Sequence, residues 1–277
     1  HEIAIIEMGA NHPGEIKTLA EIACPDYGII TNVGKAHLEG FGSFEGVKKT
    51  KAELYDYIFG QGEAIFINSD NKHLTEMAIK AGFDMKNRVH TYSLDSENTL
   101  CPVHGSVSAG APFLNMKCTL RNSPDFDIHT KLIGSYNAEN VLAAVAIGDF
   151  FGVAAETIKK GLENYTPQNN RSQLTVTDRN KLVVDAYNAN PTSMRAALLN
   201  FGEMDVEHKV VILGDMLELG DQSDEEHQNI VRLIGQFAFE KVILVGPQFK
   251  KTQHNFESYV NIADLKNNTA LLHGLKN

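Results

Sequence analysis

The chain has 277 residues and a formal net charge of −10, from 25 Lys and Arg against 35 Asp and Glu. At roughly 150 residues per domain, this length predicts two domains. The acidic balance disfavours nucleic acid or an anionic lipid surface as partner, though not a locally held phosphate. With 43% apolar and 22% charged residues, the composition excludes disorder and collagen-like repeats and suffices for a sizeable core.

No apolar run reaches the roughly 18 residues of a membrane span. His1-Glu2-Ile3 opens with neither a basic region nor an apolar signal segment. Cys24, Cys101 and Cys118 are odd in number and form no CxxC pair, which fits a reducing cytosol better than a disulfide framework or a thiolate zinc site.

In chain order, Ile3 to Glu7 reads as a buried strand, so the chain is expected to have lost what preceded it. Pro13 stands where a first helical residue belongs, followed by Ile16, Leu19, Ala20 and Ala23 at helical spacing. Tyr27 to Val33 predicts a second buried strand. Phe44 to Phe59 predicts a helix, Ala64 to Ile67 a strand, and Asp70 to Ala81 a helix closed by Gly82. Strands alternating with helices predict a mostly parallel sheet. Val103 to Leu120 is a mixed run, and Phe126, Ile128, Thr130 and Leu132 then alternate with polar residues, predicting added antiparallel strands. A helix is expected over Ala138 to Phe151. The polar stretch 164–173 is the candidate linker. After it, strand and helix alternate again: Leu182–Ala186, a helix from Pro191, Val210–Leu213, a helix from Ser223, and Val242–Val245. The fold class is therefore α/β, in two domains, 1–168 and 169–277.

Several residues look chemical. Glu7 ends a strand, where open α/β sheets place ligands, so it either holds a metal or caps the next turn. His37 lies in the glycine-rich loop Thr31 to Ser43. Lys51 falls within the helical stripe Phe44, Val47, Leu54, Ile58. A buried ammonium is costly. It either snorkels or pairs with Glu53 or another carboxylate, or it is a low-pKa amine able to take up CO2 as a carbamate, an oxygen ligand for Mg²⁺. Asn137 and Asn140 share a helix face and suit a base edge or a cap. Arg171, in the linker, is either solvated or a fork for phosphate. Asp185-Ala-Tyr187-Asn188-Ala-Asn190-Pro191 runs from a strand end into a helix, as does Gly214-Asp215-Met-Leu-Glu218-Leu-Gly220, with His227 in the helix that follows. An Asp so placed suits ribose hydroxyls. No G-x-x-x-x-G-K-[ST] phosphate loop and no G-x-G-x-x-G is present.

In their order and separation, Glu7-Met8-Gly9-Ala10, the Thr31–Ser43 loop, Tyr187–Met194 and Gly214–Gly220 resemble the Mur ligases. The Tyr187–Pro191 and His37–Ser43 strings point to the member that adds D-alanyl-D-alanine to UDP-N-acetylmuramoyl-tripeptide. The resemblance implies a central ATPase domain over 1–168, incomplete at its N-terminus, and a Rossmann-like C-terminal domain over 169–277, whose last strand and helix are expected to be missing or altered after about residue 265. The UDP-sugar domain, the first central strand and the phosphate loop are expected before His1, so the chain alone is expected to be inactive. The resemblance also implies ATP and Mg²⁺ as cofactors, Glu7, His37 and carbamylated Lys51 at the metal, and Asn137 and Asn140 on adenine. Tyr136, where relatives often carry His, would stack. Arg171 would meet the γ-phosphate and Asp185 the ribose, while Asn32, Ser43, Tyr187, Asn188 and Asn190 would line the substrate site. Lys51, His37 and Arg171 are the catalytic candidates. Amide formation would pass through an acyl phosphate in a cytoplasmic monomer, with the C-terminal domain closing over ATP. The alternatives are another Mur-type or folylpolyglutamate-type ligase, and a non-catalytic nucleotide-binding module.

Overall fold

The computed structural model describes residues 1–34, 38–98, 100–110, 112–121, 123–168 and 170–267. It has two compact units. The first comprises His1–Ala109, Leu114–Lys131 and Asn137–Tyr165; the second comprises Gly110–Phe113, Leu132–Tyr136 and the chain from Thr166 onward.

The first unit holds α1 (Glu15–Ala23), β1 (Tyr27–Ile29), α2 (Leu38–Phe41), α3 (Phe44–Gln61), β2 (Ala64–Asn68), α4 (Lys72–Ala81), β3 (Val89–Ser93), β4 (Val103–Ala109), β5 (Phe113–Leu120) but for its first residue and β6 (Ser123–Ile133) but for its last two, then α5 (Ala138–Phe150) and α6 (Ala155–Asn164). The six strands form one sheet in the order β1 to β6. Strands β1 to β4 pair in parallel, and β5 turns back antiparallel on β4. All five residues of β2 are buried, as a parallel strand with both faces covered must be. Ile65 and Ile67 pack there against Tyr55 and Ile58 of α3 and Leu74, Met77 and Ala78 of α4. Each such aliphatic side chain contributes roughly 1.5–3 kcal/mol by leaving water.

Local signals set the helix ends. Ser43 caps α3 by accepting the Gly46 N–H, and Asn71 caps α4 by accepting the His73 N–H. Gly82 closes α4 at φ 105°, a conformation open to glycine at little cost. The far end of α3 is closed by Arg88, whose guanidinium donates to the carbonyls of Ile58, Phe59, Gly62 and Glu63.

Three expectations need correction. Ile3 to Glu7 is not a strand: Ile3, Ile5 and Ile6 are 58%, 91% and 59% exposed. Apolar residues favour a strand, but only a partner's backbone makes one, and no strand among the described residues pairs with this segment. The first helix begins at Glu15, not Pro13, because Gly14 stands at φ 90° as its cap. The strand expected over Tyr27–Val33 ends at Ile29. Strand β3 and helix α6 carry too little pattern to be read from sequence.

The second unit holds the hairpin β7 (Gln173–Val176) and β8 (Lys181–Val184), then α7 (Pro191–Glu203), β9 (Val210–Gly214), α8 (Ser223–Ile234), β10 (Lys241–Val245), α9 (Pro247–Lys251), β11 (Glu257–Tyr259) and α10 (Ile262–Asn267). Strands β9, β10 and β11 form a parallel sheet with β10 central and buried at its middle three residues. This is a Rossmann-like arrangement. The expected linker corresponds to the stretch between α6 and β7. No helix among the described residues is long and apolar enough to cross a membrane.

Candidate functional site

In the first unit, the polar residues gather at the carboxyl ends of the parallel strands, where a sheet of this kind presents ligand sites. Helix α3 buries Val47, Thr50, Tyr55 and Ile58, which leaves Lys51 half-buried on the edge of that face. The Lys51 Nζ donates to the Asn32 carbonyl at 2.8 Å. Burial holds this amine below the ordinary lysine range. No carboxylate among the described residues lies within 4 Å of it. Pairing with Glu53 does not occur, because the Glu53 carboxylate accepts the N–H groups of Gly14 and Lys17 at 2.8 and 2.9 Å.

Glu7 lies exposed on the segment before α1. His37 lies outside the described residues. Among the described residues no three His, Cys, Asp or Glu side chains converge as a ready metal cluster. Ser43 spends its hydroxyl on the α3 cap, and Asn32 engages Lys51 through its backbone, not its side chain.

At the start of α5, Asn137 occupies the cap position without a side-chain capping bond. Its amide oxygen accepts from Asn140 at 3.4 Å, so the simple capping role does not describe it. Between them stands Glu139, which the sequence reading passed over. Burial raises its carboxyl above the ordinary range, the Asp70 charge adds to this, and the Asn68 side chain offsets it. Asp70 accepts the Ser93 hydroxyl and the Leu94 N–H at 2.5 and 2.6 Å. Asn68 ends β2 and Ser93 ends β3, so the carboxyl ends of two strands and the first turn of α5 share one polar network. The sequence signal was a polar residue closing an apolar strand, Asn68-Ser-Asp70.

In the second unit, β7 and β8 pair with Gln173 opposite Val184. The next register position sets Ser172 beside Asp185. Ser172 is buried at φ 49°, and Asn170 also has a positive φ, 53°. Two non-glycine residues in this region around Arg171 mark a strained segment. It is tied down by the Ala186 N–H donating to the Asn170 carbonyl at 2.8 Å, and by a 2.6 Å hydrogen bond between the Ser172 and Tyr136 hydroxyls. Burial raises the Tyr136 phenol, with Ser172 opposing. Asp185 has a face open to solvent, yet partial burial raises its carboxyl, offset by the Ser172 N–H and the Arg171 charge. The Arg171 guanidinium stacks over the Tyr187 ring, 3.8 Å from its centre, a cation–π contact. Tyr136, Arg171, Asp185 and Tyr187 are thus one cluster. Asn188 is exposed beside it. The Asn190 Oδ1 is engaged in capping α7 through the Ser193 N–H.

The Asp215 string behaves differently. Its carboxylate accepts the N–H groups of Gln248 and Phe249 at 2.8 and 2.9 Å, closing the start of α9. The fully buried His227 accepts the Met216 N–H on Nε2 and, with Nδ1 2.7 Å from the Ser223 carbonyl, is the neutral Nδ1–H tautomer. Both residues are scaffold.

Comparison with known proteins adds to this geometry. Residues 1–148 match the Mur ligase middle domain, and residues 170–271 match the Mur ligase glutamate ligase domain. The UDP-N-acetylmuramoyl-tripeptide–D-alanyl-D-alanine ligase of Bacillus subtilis is 32% identical over 247 residues, covering 88% of this chain and 51% of that protein. A crystal structure of MurF from Acinetobacter baumannii is 27% identical with a TM-score of 0.84, covering 99% of this chain and 60% of that one. MurF of Thermotoga maritima, solved in complex with ADP, has a TM-score of 0.76 at 20% identity, covers 91% of this chain and 57% of that one, and shows the shared fold. The chain spans about half the length of the curated relatives it matches. With one domain model covering more than half of its residues and a second following in order, the chain belongs to the Mur ligase family.

Proposed function

We propose that this chain carries the central and C-terminal domains, divided near residue 168, of an ATP-dependent ligase that joins D-alanyl-D-alanine to UDP-N-acetylmuramoyl-tripeptide. We place it in the cytoplasm as a monomer. The name and 32% identity of the Bacillus subtilis relative support the choice of substrates. The observation that carries the chemistry is Lys51: an amine held below its usual pKa range, hydrogen-bonded to a carbonyl and lacking a carboxylate partner among the described residues.

As an ammonium, Lys51 repels a cation. As a neutral amine it attacks the carbon of CO2, releases a proton and becomes a carbamate, exchanging a positive charge for two hard oxygens. The donor set then suits Mg²⁺: the Glu7 carboxylate, the Lys51 carbamate and His37. Bound there, Mg²⁺ would neutralise charge on the ATP phosphates. Asn137 and Asn140 present amide donors and acceptors suited to the adenine edge, with Tyr136 as a stacking surface. Asp185 suits the ribose hydroxyls. Arg171, leaving its place on Tyr187, would fork onto the γ-phosphate. The tripeptide carboxylate oxygen attacks the γ-phosphorus and ADP departs. The amine of D-alanyl-D-alanine then attacks the acyl carbon and phosphate departs, with the amine proton lost to solvent. Asn32, Ser43, Tyr187, Asn188 and Asn190 are proposed to border the peptide substrates.

The test uses the full-length protein. Phosphate release should require both the tripeptide nucleotide and D-alanyl-D-alanine, and residues 1–277 alone should release almost none. Release with glutamate in place of the dipeptide would overturn the choice of member. Lys51→Met should lower turnover by at least about 100-fold while thermal stability is kept or raised, since an apolar side chain replaces a half-buried cation. Equal loss of folding and activity would return Lys51 to a structural role.

A further inference from the structure

Helix α3 carries a second committed side chain two residues beyond Lys51. The Glu53 carboxylate accepts the Gly14 N–H on one oxygen and the Lys17 N–H on the other. These groups belong to the opening turn of α1, whose cap residue, Gly14, has no side chain to offer them. N–H groups at a helix start need acceptors from elsewhere, and a carboxylate there is further favoured by the helix dipole.

The chain just before this point is pinned as well. The Asn11 and His12 N–H groups donate to one oxygen of Glu15 at 2.7 and 3.0 Å. Asn11 also lies against Gly40 of α2 so closely that a Cβ on Gly40 would stand 2.0 Å from its carbonyl oxygen. Three residues, Met8 to Ala10, separate Glu7 from this anchored stretch. Helix α3 therefore holds two pieces of chain: the one after β1, through Lys51 and the Asn32 carbonyl, and the one after Glu7, through Glu53.

We propose that Glu53 is a positioning residue, setting the Glu7–Gly14 segment in register with the helix that bears Lys51, so that Glu7 and Lys51 are presented to one cation. This rests on the metal-binding reading of Glu7 and Lys51 given above. Glu53 itself touches neither substrate nor metal. Its effect is transmitted through backbone placement, as with other groups that orient a metal ligand without binding the ion.

The experiment compares Glu53→Ala and Glu53→Gln with Glu7→Gln and Lys51→Ala in the full-length ligase. Amide exchange should rise roughly tenfold at Gly14 and Lys17 in Glu53→Ala, and less in Glu53→Gln, which keeps one acceptor. The Mg²⁺ concentration for half-maximal activity should rise about tenfold in Glu53→Ala, with much of the turnover recovered at high Mg²⁺ and an intermediate shift in Glu53→Gln. Unchanged exchange overturns the proposal. So does raised exchange with an unchanged Mg²⁺ requirement and turnover falling in step with Tm, since Glu53 then only caps α1. Should Glu53→Ala fail to fold, Glu53→Gln decides by the same two readouts. If Glu7→Gln and Lys51→Ala shift the Mg²⁺ requirement and the Glu53 variants do not, this inference fails alone. If Glu7→Gln and Lys51→Ala also leave it unmoved, the metal reading itself fails.

Discussion

The second unit contains two aspartates that the sequence presents alike. Asp185 follows β8 and leads towards α7; Asp215 follows β9 and leads towards α8. The folded chain treats them in opposite ways. The Asp215 side chain is 9% exposed, and both its oxygens are engaged by backbone N–H groups of a neighbouring helix. The Asp185 carboxyl lies on the surface, raised by partial burial, beside a strained loop and a stacked arginine. A strand-end carboxylate is thus scaffold where N–H groups of a helix engage both its oxygens in a closed setting, and a ligand candidate where one N–H engages it and a face stays open to solvent. A similar contrast holds on α3, where backbone N–H groups engage both oxygens of Glu53 while Lys51 makes one bond, to the Asn32 carbonyl.

Replacing each aspartate should separate the two. Asp215→Ala leaves two N–H donors short of partners in a nearly closed environment, and should cost about 2–4 kcal/mol in denaturant unfolding. Asp185→Ala removes one acceptor, for the Ser172 N–H, and should cost no more than about 1 kcal/mol while weakening nucleotide binding at least about tenfold, measured by calorimetry on the full-length protein. Equal stability losses would erase the distinction. A smaller effect is expected from Tyr136→Phe, which strands the buried Ser172 hydroxyl. We expect about 1 kcal/mol of destabilisation, with raised amide exchange over residues 170–172. Unchanged exchange there would mean that the strained loop holds itself without Tyr136.

What could be read from sequence follows how far apart the interacting residues lie. The helix entry at Asn190-Pro191, the closure at Gly82 and the place of Lys51 beside an apolar stripe depend on neighbours within a few residues, so local patterns expose them. The parallel sheet with strands added antiparallel is legible because buried strands and half-buried strands alternate differently. Glu53 is not legible: its partners lie 39 and 36 residues away, and no local rule distinguishes it from a lysine's companion. The network of Asp70 with Ser93 and Leu94 spans 23 and 24 residues and is equally silent. Ile3 to Ile6 misleads for a related reason, since hydrophobicity announces a strand but only a neighbouring strand's backbone creates one. The chemical difference between Asp185 and Asp215 arises from α9, a short helix the sequence reading did not anticipate.

Glu139 offers the smallest and most specific test of the contrast, because it is a carboxyl in the first turn of α5, held above its ordinary range by burial, with Asp70 reinforcing it. The folded state binds the Glu139 proton more tightly than the unfolded chain does. Its contribution to stability is therefore fully present below the ordinary glutamate range, about pH 4, and is lost as pH rises through the raised folded value. Glu139→Gln removes that slope while keeping the side chain's shape and an acceptor for the Asn68 amide. The stability of the variant relative to the parent should therefore climb as pH rises from about 4 to about 8, read from denaturant midpoints, and level off once the folded-state carboxyl has ionised. Asp70→Asn should shrink the climb without abolishing it, since burial is the larger cause. A difference that stays flat across this range would show the Glu139 carboxyl to be as well satisfied as that of Asp215, and would place it with the scaffold.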